Sequence, residues 1–352
     1  MAENTPKTYG GMAVVEGVMM RSPGFFSVAC RAPDGRIVLK TEPIEKTWLG
    51  RQKWLLKPFL RGTFAMLDTM VFGIRAMNFA ANIQTDPEYA TAEDKAKAAD
   101  GKGPGTVSNF AIGLTLVTSL ALGFALFNAA PQFVSELIVR WSGGDLATNK
   151  NGLLTNYVAE TVKLVFIIGY LSAISFYPPI REVFRFHGAE HKAINCLEDG
   201  SDLTVANVQK CTRLHPRCGT NFVIIVFVVS FLLQPLIPRD LFVPLSSPTW
   251  LLALTRLPVE VAMMPVVAGV SYELIRLAGK MKNAAWVKIA LAPGLATQLI
   301  TTAEPNDAHT EVAIAALVAA QRAEETGVLE NGVLGEDGIQ SAETNQPVQI
   351  TT

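Results

Sequence analysis

Residues 187–191 read His187-Gly188-Ala189-Glu190-His191. On a helix, histidines four apart share one face with Cβ atoms about 5–6 Å apart, which lets two imidazoles hold one cation. Glu190 lies beside them, giving H-x-x-E-H, the inverted form of the zinc-peptidase pattern. In that chemistry the histidines bind zinc and the glutamate takes a proton from bound water. A second piece, Leu214-His215-Pro216-Arg217-Cys218-Gly219, places His215 and Cys218 three apart. Together they would complete a tetrahedral His3Cys site, while three protein ligands would leave a position open for water, as catalysis requires. Glu273 offers another completion, because peptidases of this pattern take their third ligand from a downstream glutamate. Glu190 has two readings at this stage: general base, or a partner that orients a ligating histidine.

Of the four histidines only His309 falls outside 187–215, and three of the four cysteines, Cys196, Cys211 and Cys218, fall at 196–218. Four cysteines are too few for a disulfide scaffold at this length. In a reducing compartment such clustering points to metal or to no special role, rather than to bridges. Cys196 and Cys211 read as small buried residues. Glu16 and Arg21 interrupt the apolar, glycine-punctuated stretch 10–23 and read either as an ion pair in a packed loop or as functional groups.

The elements that must position these residues follow from composition and periodicity. The 352 residues carry a net charge of −1, 49% are hydrophobic and 17% charged, against about 25% charged in soluble proteins. Mean hydropathy is +0.28. A near-neutral balance excludes the basic footprint of a nucleic-acid binder. No basic segment leads into an apolar run at Met1–Gly10, so no cleaved signal peptide is expected. Phe26–Cys30 and Arg36–Lys40 flank Asp34-Gly35 and predict strands. In 45–84, Trp48, Trp54, Leu55, Phe59, Phe64 and Val71 recur at helical spacing among basic residues, which predicts amphipathic helices broken near Pro58 and Gly62. Apolar runs at 110–130, 158–180, 222–237 and 257–277 predict four membrane spans, the last carrying Glu260 and Glu273.

Basic residues between the second and third spans and after the fourth place the 181–219 loop and both termini in the cytoplasm. The expected organisation is a cytoplasmic β-unit with amphipathic helices at 1–84, a polar linker at 85–106 and a membrane domain at 107–300. An interfacial helix pair at 286–300, a short helix at 301–324 and a disordered tail at 325–352 follow. The fold class is mainly α: a polytopic protein of the inner (plasma) membrane with a small N-terminal β-unit.

Several segments also carry a family resemblance. Gly10-Gly11-x-Ala-Val-x-Glu-Gly-Val-Met-Met-Arg21, His187-Gly-Ala-Glu-His-Lys192 and His215-Pro-Arg-Cys-Gly-Thr-Asn-Phe222 resemble the YqhQ-like family of bacterial integral membrane proteins. So do Ser271-Tyr-Glu-Leu274, the stretch from Pro293 to Pro305, and Glu311–Leu317. The resemblance implies a membrane topology and a metal-dependent enzyme, without naming a substrate.

The expected function is a zinc-dependent hydrolase at the cytoplasmic membrane face. His187 and His191 would bind the metal together with His215, Cys218 or Glu273, and Glu190 would serve as base. The alternative is a non-enzymatic transporter or assembly factor with a closed structural metal site; a transporter using Glu260 and Glu273 as a cation path is a third reading. The expected cofactor is a divalent metal. The bilayer is the expected partner, no nucleic acid is expected, and a homo-oligomer is left open.

Overall fold

The computed structural model describes residues 9–44, 57–92, 109–142, 153–238, 241–244, 247–280, 285–335 and 338–341. In chain order the elements are strands β1 (Gly10–Val14), β2 (Gly17–Arg21), β3 (Phe25–Arg31) and β4 (Ile37–Pro43), then helices α1 (Leu60–Thr85) and α2 (Asn109–Phe124). A π-helical turn, Ala125–Ala129, joins α2 to α3 (Ala130–Trp141). Then come α4 (Leu153–Ile174), α5 (Pro178–Glu198), α6 (Val205–Lys210) and α7 (Gly219–Leu233). The chain continues through α8 (Thr249–Lys280), α9 (Ala285–Thr301) and α10 (Asp307–Thr326) to β5 (Asn331–Gly335) and β6 (Gly338–Ser341).

The strands form one antiparallel meander in sequence order. The expected hairpin at Asp34-Gly35 is present, with Gly35 at φ 93°, and the stretch 10–23 that the sequence marked as unusual is the β1–β2 hairpin. Alternation along the strands puts Val18, Met20, Ala29 and Leu39 on one face and Val14, Met19, Phe26 and Val28 on the other. Phe72, Ala76 and Ala80 of α1, four apart on one helical stripe, cover the second face. The first face is covered by α5 and α10, so the sheet is the middle of three layers.

Several expectations are corrected. The expected disordered tail from 325 instead includes β5 and β6: Asn331 Oδ1 accepts from the Thr41 amide at 2.9 Å, and β5 pairs in register from Lys40–Asn331 to Ile37–Leu334. The edge of β4 carries a row of backbone donors and acceptors that this pairing satisfies. The helix expected at 301–324 begins at Asp307, after an Asn306 N-cap. The expected loop 181–219 is largely helical, in α5 and α6. The helix pair expected at 286–300 is the single α9, which continues through Pro293. Residues 158–180 are not one run: Tyr177 is extended and Pro178-Pro179 open α5, because a fixed φ and a missing N–H suit proline to a first helical turn. The helical reading of 45–56, part of the linker and the tail beyond 341 lie outside the described residues.

Among the described residues, four helical stretches are long and apolar enough to cross a membrane: Val117–Val139, Leu153–Ile174, Gly219–Leu236 and Pro258–Leu277. Between them sits a polar network. Lys163 Nζ lies 3.1 Å from Glu160 and 3.5 Å from Glu260. Asn128, buried in the π turn, donates to Glu260 at 2.7 Å. Arg256 lies 3.6 Å from Glu260 and donates to Asn156 at 2.8 Å. Glu260 therefore belongs to an internal charge network.

Candidate metal centre

The scaffold of the site is α5. Phe186, Ala189, Ala193 and Ile194 recur at helical spacing and pack on Ala313, Ala316, Leu317 and Ala320 of α10. With that stripe fixed against the core, the neighbouring one carries His187, Glu190 and His191. Glu190 and His191 are buried and His187 half-buried; the two imidazole centroids are 4.5 Å apart.

Both imidazoles are oriented by backbone. His187 Nδ1 is 2.9 Å from the Thr301 carbonyl at the end of α9, and His191 Nδ1 is 2.6 Å from the Arg213 carbonyl. A carbonyl only accepts, so each Nδ1 carries the proton and each Nε2 presents a lone pair. This is how ligating histidines are held: the distant ring nitrogen donates to a fixed acceptor, which sets tautomer and ring plane. The close approach of α5 to the chain after α9 depends on Gly188. A Cβ there would run into the Ala303 carbonyl oxygen, whose residue also donates its amide to Phe184 O at 2.8 Å.

Cys218 supplies the third donor. It is the N-cap of α7, and its Sγ accepts from the Thr220 amide and hydroxyl at 3.4 and 3.2 Å. His187 Nε2 is 3.2 Å from that sulfur. One ligand atom from each of His187, His191 and Cys218 lies within 4.8 Å of the others. Burial pushes the Cys218 thiol up, against hydrogen bonds from Thr220 and Asn221 that lower it.

The other expected ligands stand elsewhere. His215 is buried with its ring 5.8 Å from His191, and its Nε2 lies 3.6 Å from Glu198, outside the group of three. Gln298 fixes its backbone, accepting from its amide and donating to its carbonyl at 2.9 Å each. Glu273 is not at the site: its carboxylate is forked onto Arg61 of α1, with Nε at 2.7 Å. A residue whose charge is already answered by a guanidinium has no need of a metal to offset burial. Arg21 lies over the Phe72 ring, 5.1 Å away on the opposite face of the sheet. Glu16, in the β1–β2 turn at φ 51°, is under the electrostatic influence of Glu182, His309 and Arg31.

Gly11 is the part of the N-terminal motif that reaches the centre, a contact sequence reasoning did not find. Its amide donates to the Glu190 side chain, and a Cβ at that position would come within 3.1 Å of the Glu190 carboxyl carbon. The signal was the Gly10-Gly11 pair: a glycine inside a strand marks a close approach.

Burial dominates the electrostatics. It lifts the Glu190 carboxyl to about 8, with the Cys218 sulfur also raising it and His187 and the Gly11 amide lowering it. Burial drops His191 to about 3, helped by His187 and opposed by the Arg213 carbonyl, and drops His215 to about 4. Both imidazoles are therefore neutral at pH 7, the form that ligates metal. The residues fit such an ion on a further count. Glu190 Oε2, His191 Nε2 and His215 Nε2 are buried without a hydrogen-bond partner, and buried polar atoms rarely stay unanswered. A cation at the group of three would answer His191 Nε2 and the neighbouring Glu190 carboxyl, while His215 Nε2 faces Glu198.

Comparison with known proteins gives a family but no reaction. The model of a family described as "Protein of unknown function (DUF1385)" matches residues 57–323. The chain is 35% identical over 315 residues to the "Uncharacterized protein YqhQ" of Bacillus subtilis (strain 168), covering 88% of this chain and 91% of that protein. No solved structure matches.

Proposed function

The chain belongs to the DUF1385 family, and since that description names no reaction, we propose from the site itself that it is a metal-dependent hydrolase, zinc being its metal, at a membrane face. The observation that carries this reading is the grouping of His187, His191 and Cys218, with both histidines held through Nδ1 by backbone carbonyls. Three ligands with a carboxylate beside them match a catalytic zinc site, whereas closed structural sites use four. When bound, the metal would act as Lewis acid and lower the pKa of a coordinated water.

The remaining work falls to the chain. His187, His191 and Cys218 would hold the ion through two imidazole nitrogens and a sulfur. Glu190, one residue before His191 on α5, would give up the proton that burial keeps on it beside a bound cation and could then accept one from the attacking water, and the Gly11 amide keeps that carboxylate turned toward the centre. His187 and Cys218 are half-buried, which leaves the open side of the site along them. Hydrolysis then breaks an ester or amide bond, with the proton held by Glu190 passing to the leaving group.

The membrane reading is supported by the four apolar helices and by their outward faces, where Val117, Leu122, Phe133, Val165, Val228 and Met264 are exposed. The basic residues at 181–217 and 280–288 support a cytoplasmic side for the sheet, α5 and the metal centre, with both termini.

Metal analysis of the purified protein tests the site. About one zinc ion per chain is expected, lost in the double variant His187→Ala/His191→Ala and retained in Glu190→Gln. Acetohydroxamate, a small chelator of open zinc positions, should raise the melting temperature of the wild type but not of the double variant. Unchanged metal content in the double variant would end the reading.

A further inference from the structure

A cavity of about 530 Å3 lies between α4, α7 and α9, within the ~300–1,000 Å3 range of small-molecule pockets. Its walls include Leu164, Ile168, Ile224, Phe227, Phe231 and Ile300. Among the described residues Glu160 is the one charged residue lining it, and its carboxylate is taken by Lys163 at 3.1 Å. The Thr297 hydroxyl is spent on the Gly294 carbonyl. A polar ligand would find no partners here and would lose its hydration without return.

The cavity is tied to the metal centre by two elements. One is α7, which begins at the residue after Cys218. Ile224 lies roughly 9 Å along its axis from Cys218, and Phe231 roughly 20 Å, at 1.5 Å per residue. The other is α9: Ile300 lines the cavity, and the next residue, Thr301, holds His187 through its carbonyl. The cavity thus starts near the site and runs away from it, deeper among helices apolar enough to cross a membrane. Leu164, Ile168 and Val228 along it are exposed, so it is open along its side to whatever surrounds those helices.

We infer that this cavity receives the hydrocarbon chain of the substrate, and that the substrate class is a long-chain acyl ester or amide whose carbonyl reaches the metal centre. The carbonyl half rests on the hydrolase reading above; the chain half rests on the cavity alone. An acyl chain enters sideways from the bilayer without crossing water, and only its polar end meets His187, Cys218 and Glu190.

Alkyl hydroxamates of two to eight carbons test both halves, bound to purified zinc-loaded protein. Full burial of a methylene from water is worth about fourfold in affinity. The eight-carbon compound is expected to bind at least tenfold more tightly than acetohydroxamate. Ala296→Trp and Val228→Trp, which fill the cavity from its open side, should flatten that dependence while leaving zinc content and acetohydroxamate affinity unchanged. Acetohydroxamate binding with no gain from chain length would overturn the inference and spare the hydrolase. A second measurement needs no metal: photolysis of a diazirine-bearing palmitate with zinc-stripped protein should label 224–231 and 293–300, and less in Ala296→Trp. Such labelling in a protein that binds no zinc would support the chain site and remove only the hydrolase. Labelling elsewhere, or labelling that the tryptophans do not reduce, would overturn the chain site.

Discussion

Glu190 and His191 are neighbours on α5 whose burial acts in opposite directions. In metal-free protein the folded state holds a proton on Glu190 up to about pH 8, while an unfolded glutamate releases it near 4.5. That contribution to stability is fully present below about pH 4.5 and is lost as pH rises toward 8. His191, lowered to about 3, does the reverse, costing stability as pH falls below its unfolded value near 6.5. Denaturant unfolding of metal-free protein across pH separates the two. The wild type should lose stability relative to Glu190→Gln between pH 4.5 and 8. A difference between the two that is flat with pH would rule out a carboxyl held neutral by burial. At the same scale, Gly188→Ala drives a methyl into the Ala303 carbonyl. About 1–3 kcal/mol of destabilisation is expected from such overpacking, together with weaker zinc retention, because the movement also displaces Thr301 from His187. Wild-type zinc affinity in Gly188→Ala would show that this close approach does not set the ligand geometry.

At the scale of elements, the pairing of His187 and His191 was readable because its chemistry is local, although the stretch that holds them was expected as a loop. A spacing of four on one helix brings His187 and His191 together whatever the rest of the chain does, and the N-cap position of Cys218 sits beside an obvious apolar helix. What could not be read were partners supplied by backbone. The Thr301 and Arg213 carbonyls would look the same with any side chain there. The position of Glu273 depended on Arg61, more than two hundred residues away, and the long apolar helix holding it gave no sign of that partner. The same reason hid β5 and β6: their residues look polar and loose until the edge of β4 is known to be free. A chain ending at Gly327 tests their role. It should melt at lower temperature and associate through the exposed β4 edge, yet keep its zinc, since every proposed ligand lies at 187–218. Loss of zinc would mean the sheet edge reaches the centre.

For the whole molecule, the internal charges of the apolar helices are the main energetic risk. Glu260 answers Lys163, Arg256 and Asn128 together. Glu260→Ala takes the neighbouring carboxylate from Arg256 and leaves Lys163 with Glu160 alone, and uncompensating a buried charge costs about 3–5 kcal/mol. The variant should unfold at markedly lower temperature in detergent with its metal content intact, because the network shares no residue with the centre. Equal melting temperatures would show that water already satisfies these groups.

The contact between Gly11 and Glu190, and the hold of Thr301 on His187, also fix an order of events during synthesis. The ribosome releases Gly11 first and Thr301 nearly three hundred residues later, with all four apolar helices made between them. Closing so long a stretch of chain is slow and comes late. Glu190 can therefore meet Gly11, and His191 the Arg213 carbonyl, while later helices are still being made, whereas His187 waits for the Thr301 carbonyl until the last apolar helix has left the ribosome.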